Sequence, residues 1–188
     1  TQQNTRPSTG TFVRNLGGCG GGILNYGGNP TITNCIFDTN ANTHPDGQGG
    51  AIYNVGRADI LNCTFYQNGW RLLSSGPEPR FRPYITQGGA IFDSMFAFGS
   101  TISNCIFSKN AAKIDGGAIF SNIGLAPRRT TLTNCLFHEN IRWWPGDGDP
   151  ESSHFYGTLN SNSAGNLYDI DPLLVDPAGG DFHLSYDS

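Results

Sequence analysis

The sequence predicts an all-β protein: a short β-solenoid of about four to five stacked coils with loop insertions on one edge. Three observations predict it. The motif "TNCIFDTN" at 33–40 returns as "LNCTFYQN" at 61–68, "SNCIFSKN" at 103–110 and "TNCLFHEN" at 133–140. A glycine step precedes each copy: "GGGILN" at 20–25, "GGAIYN" at 49–54, "GGAIFD" at 88–93 and "GGAIFS" at 116–121. No stretch sustains apolar residues at i, i+3, i+4 and i+7, which excludes helical repeats.

Each unit opens on the glycine step, where two neighbouring columns are apolar. One holds Ile23, Ile52, Ile91 and Ile119; the other holds Leu24, Tyr53, Phe92 and Phe120. Side chains alternate faces along a strand, so only one column enters the core. The second is expected to form an apolar stripe outside, a self-association surface unless a loop or another chain covers it.

After a variable link comes Asn-Cys-x-Phe. Asn34, Asn62, Asn104 and Asn134 follow one another by 28, 42 and 30 residues, so the period is loose while the motif is tight. Period two points Cys35 and Phe37 to one side, and a straight strand would then turn Ile32 outward. A bend at Asn34 resolves this, because Asn tolerates left-handed backbone and resets the phase. The structural ladder is therefore expected in Asn34, Cys35, Phe37; Asn62, Cys63, Phe65; Asn104, Cys105, Phe107; and Asn134, Cys135, Phe137. Amides stacked at the first Asn column are expected to bond up and down the stack, and the second column, Asn40, Asn68, Asn110 and Asn140, to close each strand at another turn.

These repeats resemble those of bacterial parallel β-helix proteins, especially the polymorphic outer-membrane and other cell-surface families, with paired glycines in "GGAI" and a following Phe-x-x-Asn. The tail "DIDPLLVDPAGGDFHLS" at 169–185 is similar to the closing segment of many secreted bacterial β-helix proteins. The resemblance implies a right-handed parallel β-helix and an exported, mature chain at the cell surface or outside the cell. It leaves function open, since such families include polysaccharide lyases, adhesins and autotransporter passengers.

With 188 residues the chain is read as an extended N-terminal arm, 1–16, and one β-helix domain, 17–188. Only 11 Lys and Arg are present, thinly spread, so nucleic acid is not an expected partner. No apolar run reaches membrane-spanning length, and no charged-then-apolar leader opens the chain.

Five cysteines are present. Four share a column, and rungs about 4.8 Å apart hold parallel Cβ atoms beyond the usual disulfide separation. Thiolates strung on a line cannot converge on zinc either. They are read as buried, reduced thiols, with Cys19 left unassigned. Asn62-Cys63-Thr64 is read as part of the ladder and not as a glycan acceptor.

Variation concentrates in insertions after the closing asparagines, at 41–48, 69–87 and 141–165, whereas the third unit has only "AAKID". These loops leave one edge, which is expected to carry Trp70, Arg71, Tyr84, Trp143, Trp144, His154 and Tyr156. Such aromatic and polar residues suit a glycan surface or a protein partner; equally, they could seal the open side of the coils. "GDGDPE" at 146–151 lacks the spaced carboxylates of a calcium loop. No catalytic residue, metal site or cofactor is assigned, and the chain is read as not an enzyme. The expectation is an extracellular structural or adhesive protein, a homo-oligomer or homopolymer able to form filaments. The alternative is a polysaccharide lyase, a glycosidase-like enzyme or a carbohydrate-binding module using the insertion edge.

Overall fold

The computed structural model describes residues 8–44, 46–73, 80–83, 87–94, 99–121, 129–143 and 149–185, with the backbone alone for 8, 9, 71–73 and 80–83. Every regular element among them is a strand. No helix is long and apolar enough to cross a membrane.

The chain winds as a parallel β-helix. Its main face stacks Ser8–Val13, Thr31–Asp38, Thr64–Tyr66, Ile106–Ser108, Leu136–His138 and Leu167–Tyr168, in register apart from a shift between Ser8 and Gly10. A second face stacks the glycine-step strands Ile23–Asn25, Ile52–Asn54, Ile91–Asp93, Ile119–Ser121 and Phe155–Tyr156. Two-residue strands such as Ala41–Asn42 and Ala111–Ala112 complete the circuit.

The corner at the first asparagine is a left-handed residue: Asn34, Asn62, Asn104 and Asn134 all have φ 53. The reset brings Ile32, Cys35 and Phe37 inside together, each at most 1% exposed. The two glycines of each step serve different needs. The first, as at Gly49 with φ 67, takes a left-handed turn; at the second, Gly50, a Cβ would run into the carbonyl of Gly89 one coil on.

The first asparagines do bond along their column as expected, but the buried amide ladder lies in a different column. The first asparagines are exposed, and their mutual contacts are 3.2–3.5 Å long, because the left-handed corner swings the side chain out. The closing asparagines form the buried ladder. Asn40, Asn68, Asn110 and Asn140 are 0% exposed. Backbone N and Nδ2 of the first three each donate to Oδ1 of the next at 2.8–3.0 Å. Asn68, Asn110 and Asn140 also donate to the carbonyls of Phe37, Phe65 and Phe107. An amide suits this column because it donates and accepts at once. The left-handed residue at this turn is the one before it: Thr39, Gln67, Lys109 or Glu139.

Inside the main face Phe12, Phe37, Phe65, Phe107, Phe137 and Tyr168 stack with centroids 4.7–5.3 Å apart. The thiols beside them are polar links in the corner. Cys63 Sγ donates to the Leu61 carbonyl at 3.2 Å and accepts the Cys35 N–H at 3.5 Å. All four column cysteines are buried and unbridged, and Cys19 is exposed. Burial pushes Cys35 up to about 11 and Cys105 well above the usual thiol range; hydrogen bonds shared with the Cys105 thiol lower Cys63 and Cys135.

Both ends carry degenerate coils. Residues 10–15, placed in the N-terminal arm by the sequence, take the course of 35–40: Phe12 pairs with Phe37, and Asn15 donates to Asn40 Oδ1 at 2.9–3.0 Å. The rung forms because "FVRN" keeps Phe-x-x-Asn although Gly10 stands where cysteine recurs. In the last coil Asn166 occupies the cysteine column and accepts the Cys135 N–H at 3.0 Å. The tail forms an antiparallel hairpin, Leu174–Asp176 with Asp181–Leu184. It folds back so that Phe182 packs edge-on against Tyr66.

A buried polar knot sits at the end of the glycine-step strands. Asp93, 0% exposed, accepts from Asn54 Nδ2 at 2.7 Å, Ser100 Oγ at 3.1 Å and Thr130 Oγ1 at 2.7 Å. Burial raises its pKa.

Three outcomes follow from this packing. Asn104→Gly keeps the left-handed corner and changes urea stability by less than about 0.5 kcal/mol, whereas Asn110→Gly strands buried partners on both sides and costs about 3 kcal/mol. A thiol reagent titrates one cysteine in the native chain and all five after unfolding. Asp93, with its folded pKa above the unfolded value, costs nothing below the ordinary aspartate range. As pH rises the unfolded state ionises first, so stability falls until the native carboxyl ionises too. In Asp93→Asn the Thr130 and Ser121 hydroxyls, 2.9 Å apart, can reverse their hydrogen bonds. This variant is expected to lose that pH dependence and to unfold at a urea midpoint at least as high at pH 7.

Candidate functional site

The insertion edge holds a groove created by a missing loop. The insertions after Asn68 and Asn140 each start as an antiparallel hairpin, Trp70–Leu73 with Arg80–Pro83 and Ile141–Arg142 with Glu151–Ser152. The intervening coil continues only through Ala111–Ala112, which leaves a gap one coil wide. The cavity there is about 580 Å³, and its described lining is Gln67, Trp70, Lys109, Glu139 and Ile141.

Each lining residue is set by the ladder beneath it. Gln67, Lys109 and Glu139 hold the left-handed position before the buried asparagine, with φ 50, 59 and 49. Their N–H groups are tied down too, Gln67 to the Ser108 carbonyl and Lys109 to that of His138, both at 3.0 Å. The three side chains therefore leave at one turn on successive coils. Gly69, at φ 88, swings the chain outward, and a Cβ there would strike the Ala111 carbonyl. Trp70 then lies across to the next coil and donates from Nε1 to the Lys109 carbonyl at 2.8 Å.

Lys109 Nζ stands 3.6 Å from Glu139 Oε2, with side chains 44% and 57% exposed. An exposed pair of this kind adds little stability, so both groups remain available to a ligand. His138 Nε2 lies 3.8 Å from Glu139 Oε1.

The other expected edge residues scatter. Tyr84 and Trp144 lie outside the described residues, and Arg71 is described by its backbone alone, in the strand Trp70–Leu73. Trp143 is half-buried, its N–H on the Ala112 carbonyl at 2.9 Å. His154 is not on the edge. It turns inward, its side chain 11% exposed, and packs tilted against both Phe137 and Tyr168, beside their stack. Its Nδ1 lies 3.4 Å from Asn140 Nδ2 and its Nε2 2.9 Å from Asp169 Oδ1. The following coil offers no asparagine in that column, so His154 takes over as the ladder's polar terminus.

Tyr156 ends the outer stripe, and that stripe is largely covered. Tyr53, Phe92, Phe120 and Tyr156 stack ring on ring at 4.8–5.3 Å. Each middle ring is sandwiched by its neighbours, and Phe92 and Phe120 are only 3% and 4% exposed. Leu24 at 56% and Tyr156 at 49% are open, so apolar surface is left at the stripe's ends and not along it.

Gln67, Lys109, Glu139 and Ile141 were not singled out as site residues by the sequence. The signal that marks them is the short third insertion combined with the polar residue preceding each closing asparagine.

Comparison with known proteins agrees with this architecture. Residues 118 in number align at 34% identity with the probable autotransporter YfaL of Escherichia coli (strain K12), covering 59% of this chain and 9% of that protein. The chain thus spans under a tenth of its relative's length. No solved structure matches it. The family model for the right-handed β-helix region matches residues 9–168, from the first rung to the last ring of the phenylalanine ladder, and the chain belongs to the right-handed β-helix family.

Proposed function

We propose that this chain is part of an exported, surface-displayed β-helix with a structural and adhesive role, making its contacts through the groove on the insertion edge. The observation that carries the reading is that groove: an indole, an amide and an exposed ion pair fixed on a rigid ladder at the one place where an insertion is missing. The relative named as a probable autotransporter supports export to the surface. The groove is read as binding without turnover. Its described lining supplies one carboxylate, Glu139, where glycoside hydrolysis uses two.

Self-association is a second reading, favoured by the open ends of the ladders. Tyr168 and Tyr156 are 45% and 49% exposed at one end. At the other, Asn15 Oδ1 heads the asparagine ladder, in the position where Asn40, Asn68, Asn110 and Asn140 accept from the preceding coil. Stacking of a second copy there would extend columns already present, a heterologous contact that propagates.

The adhesive reading is tested by coating beads with the native chain and measuring retention on surfaces bearing mixed glycans. Trp70→Ala and Lys109→Met are expected to lower retention at least tenfold while leaving the free energy of unfolding in urea within about 1 kcal/mol of native. Equal retention by the variants overturns it. The second reading predicts a mass by light scattering that rises with concentration and falls back to monomer in Tyr168→Glu. A concentration-independent monomer overturns that one.

A further inference from the structure

Taking the groove as the contact site proposed above, we infer that it selects uncharged, hydroxyl-rich sugar chains. The pyranose C–H face lies on the Trp70 indole, and a pair of adjacent hydroxyls is held between Lys109 and Glu139.

The indole offers a face and little else. Its N–H already donates to the Lys109 carbonyl, so a ligand meets the ring as a flat apolar platform. The axial C–H groups of a hexose suit such a platform, while its hydroxyls point to the rim.

The polar groups form a matched set. A vicinal diol can donate one proton to a carboxylate while its other oxygen accepts from an ammonium. Lys109 Nζ and Glu139 Oε2, 3.6 Å apart, supply that donor and acceptor close enough together for two neighbouring hydroxyls to reach both. Gln67, on the preceding coil and lining the same groove, adds an amide that donates and accepts.

Among the described side chains, charge decides the class. Lys109 is compensated by Glu139, and on the flank Arg142 is compensated by Glu151, whose Oε2 accepts from Arg142 Nε at 2.8 Å. An acidic sugar would face the exposed Glu139 carboxylate, and the chain carries a net charge of −4. A hydroxyl-bearing ligand meets no such penalty, because it exchanges hydrogen bonds with water for hydrogen bonds with a preformed pair.

A peptide fits less well. Strand addition needs an unpaired edge, and Ile141–Arg142 is already paired on both sides, with Ala111–Ala112 and with Glu151–Ser152. The neighbouring backbone is engaged as well: Gly69 N–H goes to the Asn40 carbonyl and Ala111 N–H to that of Asn68.

The test is titration calorimetry of the full chain with three probes: neutral hexose oligosaccharides, uronic-acid oligosaccharides of equal length, and an unstructured peptide. The inference predicts saturable binding of a neutral oligosaccharide that changes less than twofold between low and high salt, and at least tenfold weaker binding of the uronate. Glu139→Gln, at an exposed side chain that leaves folding intact, is expected to weaken the neutral sugar about tenfold, and Trp70→Ala to abolish it. Preference for the uronate with steep salt dependence, while Trp70→Ala still abolishes binding, overturns the sugar class and leaves the adhesive groove standing. Binding that ignores both variants, or that the peptide alone shows, overturns the inference and the adhesive reading together.

Discussion

Everything in this fold depends on the spacing of parallel backbone hydrogen bonds from coil to coil. In-register strands lie about 4.8 Å apart, and the aromatic ladder repeats that distance, with Phe37 and Phe65 4.7 Å apart and their planes within 2°. Each interior side chain therefore meets the side chains at the same position of the coils above and below. Phenylalanine passes by stacking, asparagine and cysteine because each donates and accepts, and glycine because nothing obstructs the next backbone. A charged column fails, since like charges at this distance cost about 3 kcal/mol at an effective dielectric of 20. Asp93 is tolerated because its neighbours in the column are Asn54 and Ser121. Even outside, Lys109 is followed by Glu139 and not by another lysine.

This constraint explains which parts were legible in the sequence. The corner at Asn34 was legible because two inward columns, Ile32 and Cys35, are separated by an even number of residues that only a phase reset permits. The buried amide ladder is not legible, because both columns hold Asn in all four units. Periodicity alone cannot say which is inside; the left-handed φ at Asn34 and at Thr39, one residue before Asn40, decides it. The end coils carry no repeat signature because substitution at the ends is tolerated. Gly10 and Asn166 replace the cysteine, and Tyr168 replaces the phenylalanine, so a search keyed on Asn-Cys-x-Phe passes over both.

The groove was half-visible. Trp70 stood out as an aromatic in an insertion, and the brevity of "AAKID" was plain. That a short loop makes a cavity between two longer ones follows only once the three turns are known to stack. Gln67, Lys109 and Glu139 looked like scattered polar residues because nothing in their types is shared; what they share is a backbone conformation. His154 misled in the opposite direction, since a histidine within an insertion gives no sign that its ring returns to close the asparagine ladder.

The division of labour has a consequence for how such a surface changes. The residue before each closing asparagine is held by its own φ, and at Thr39, Gln67 and Lys109 by a backbone bond to the next coil as well, while its side chain contributes nothing to the buried ladder. Thr39, Gln67, Lys109 and Glu139 show the latitude this allows: a hydroxyl, an amide, a cation and an anion on the same turn of successive coils. Substitution there alters the chemistry of the edge without touching the amides that hold adjacent coils together. The cost of a left-handed non-glycine residue, of order 1 kcal/mol each, is spread over a scaffold whose coil-to-coil bonds outnumber it. A stack of coils can thus keep one interior and vary one edge, which places specificity in columns where no repeat pattern would reveal it.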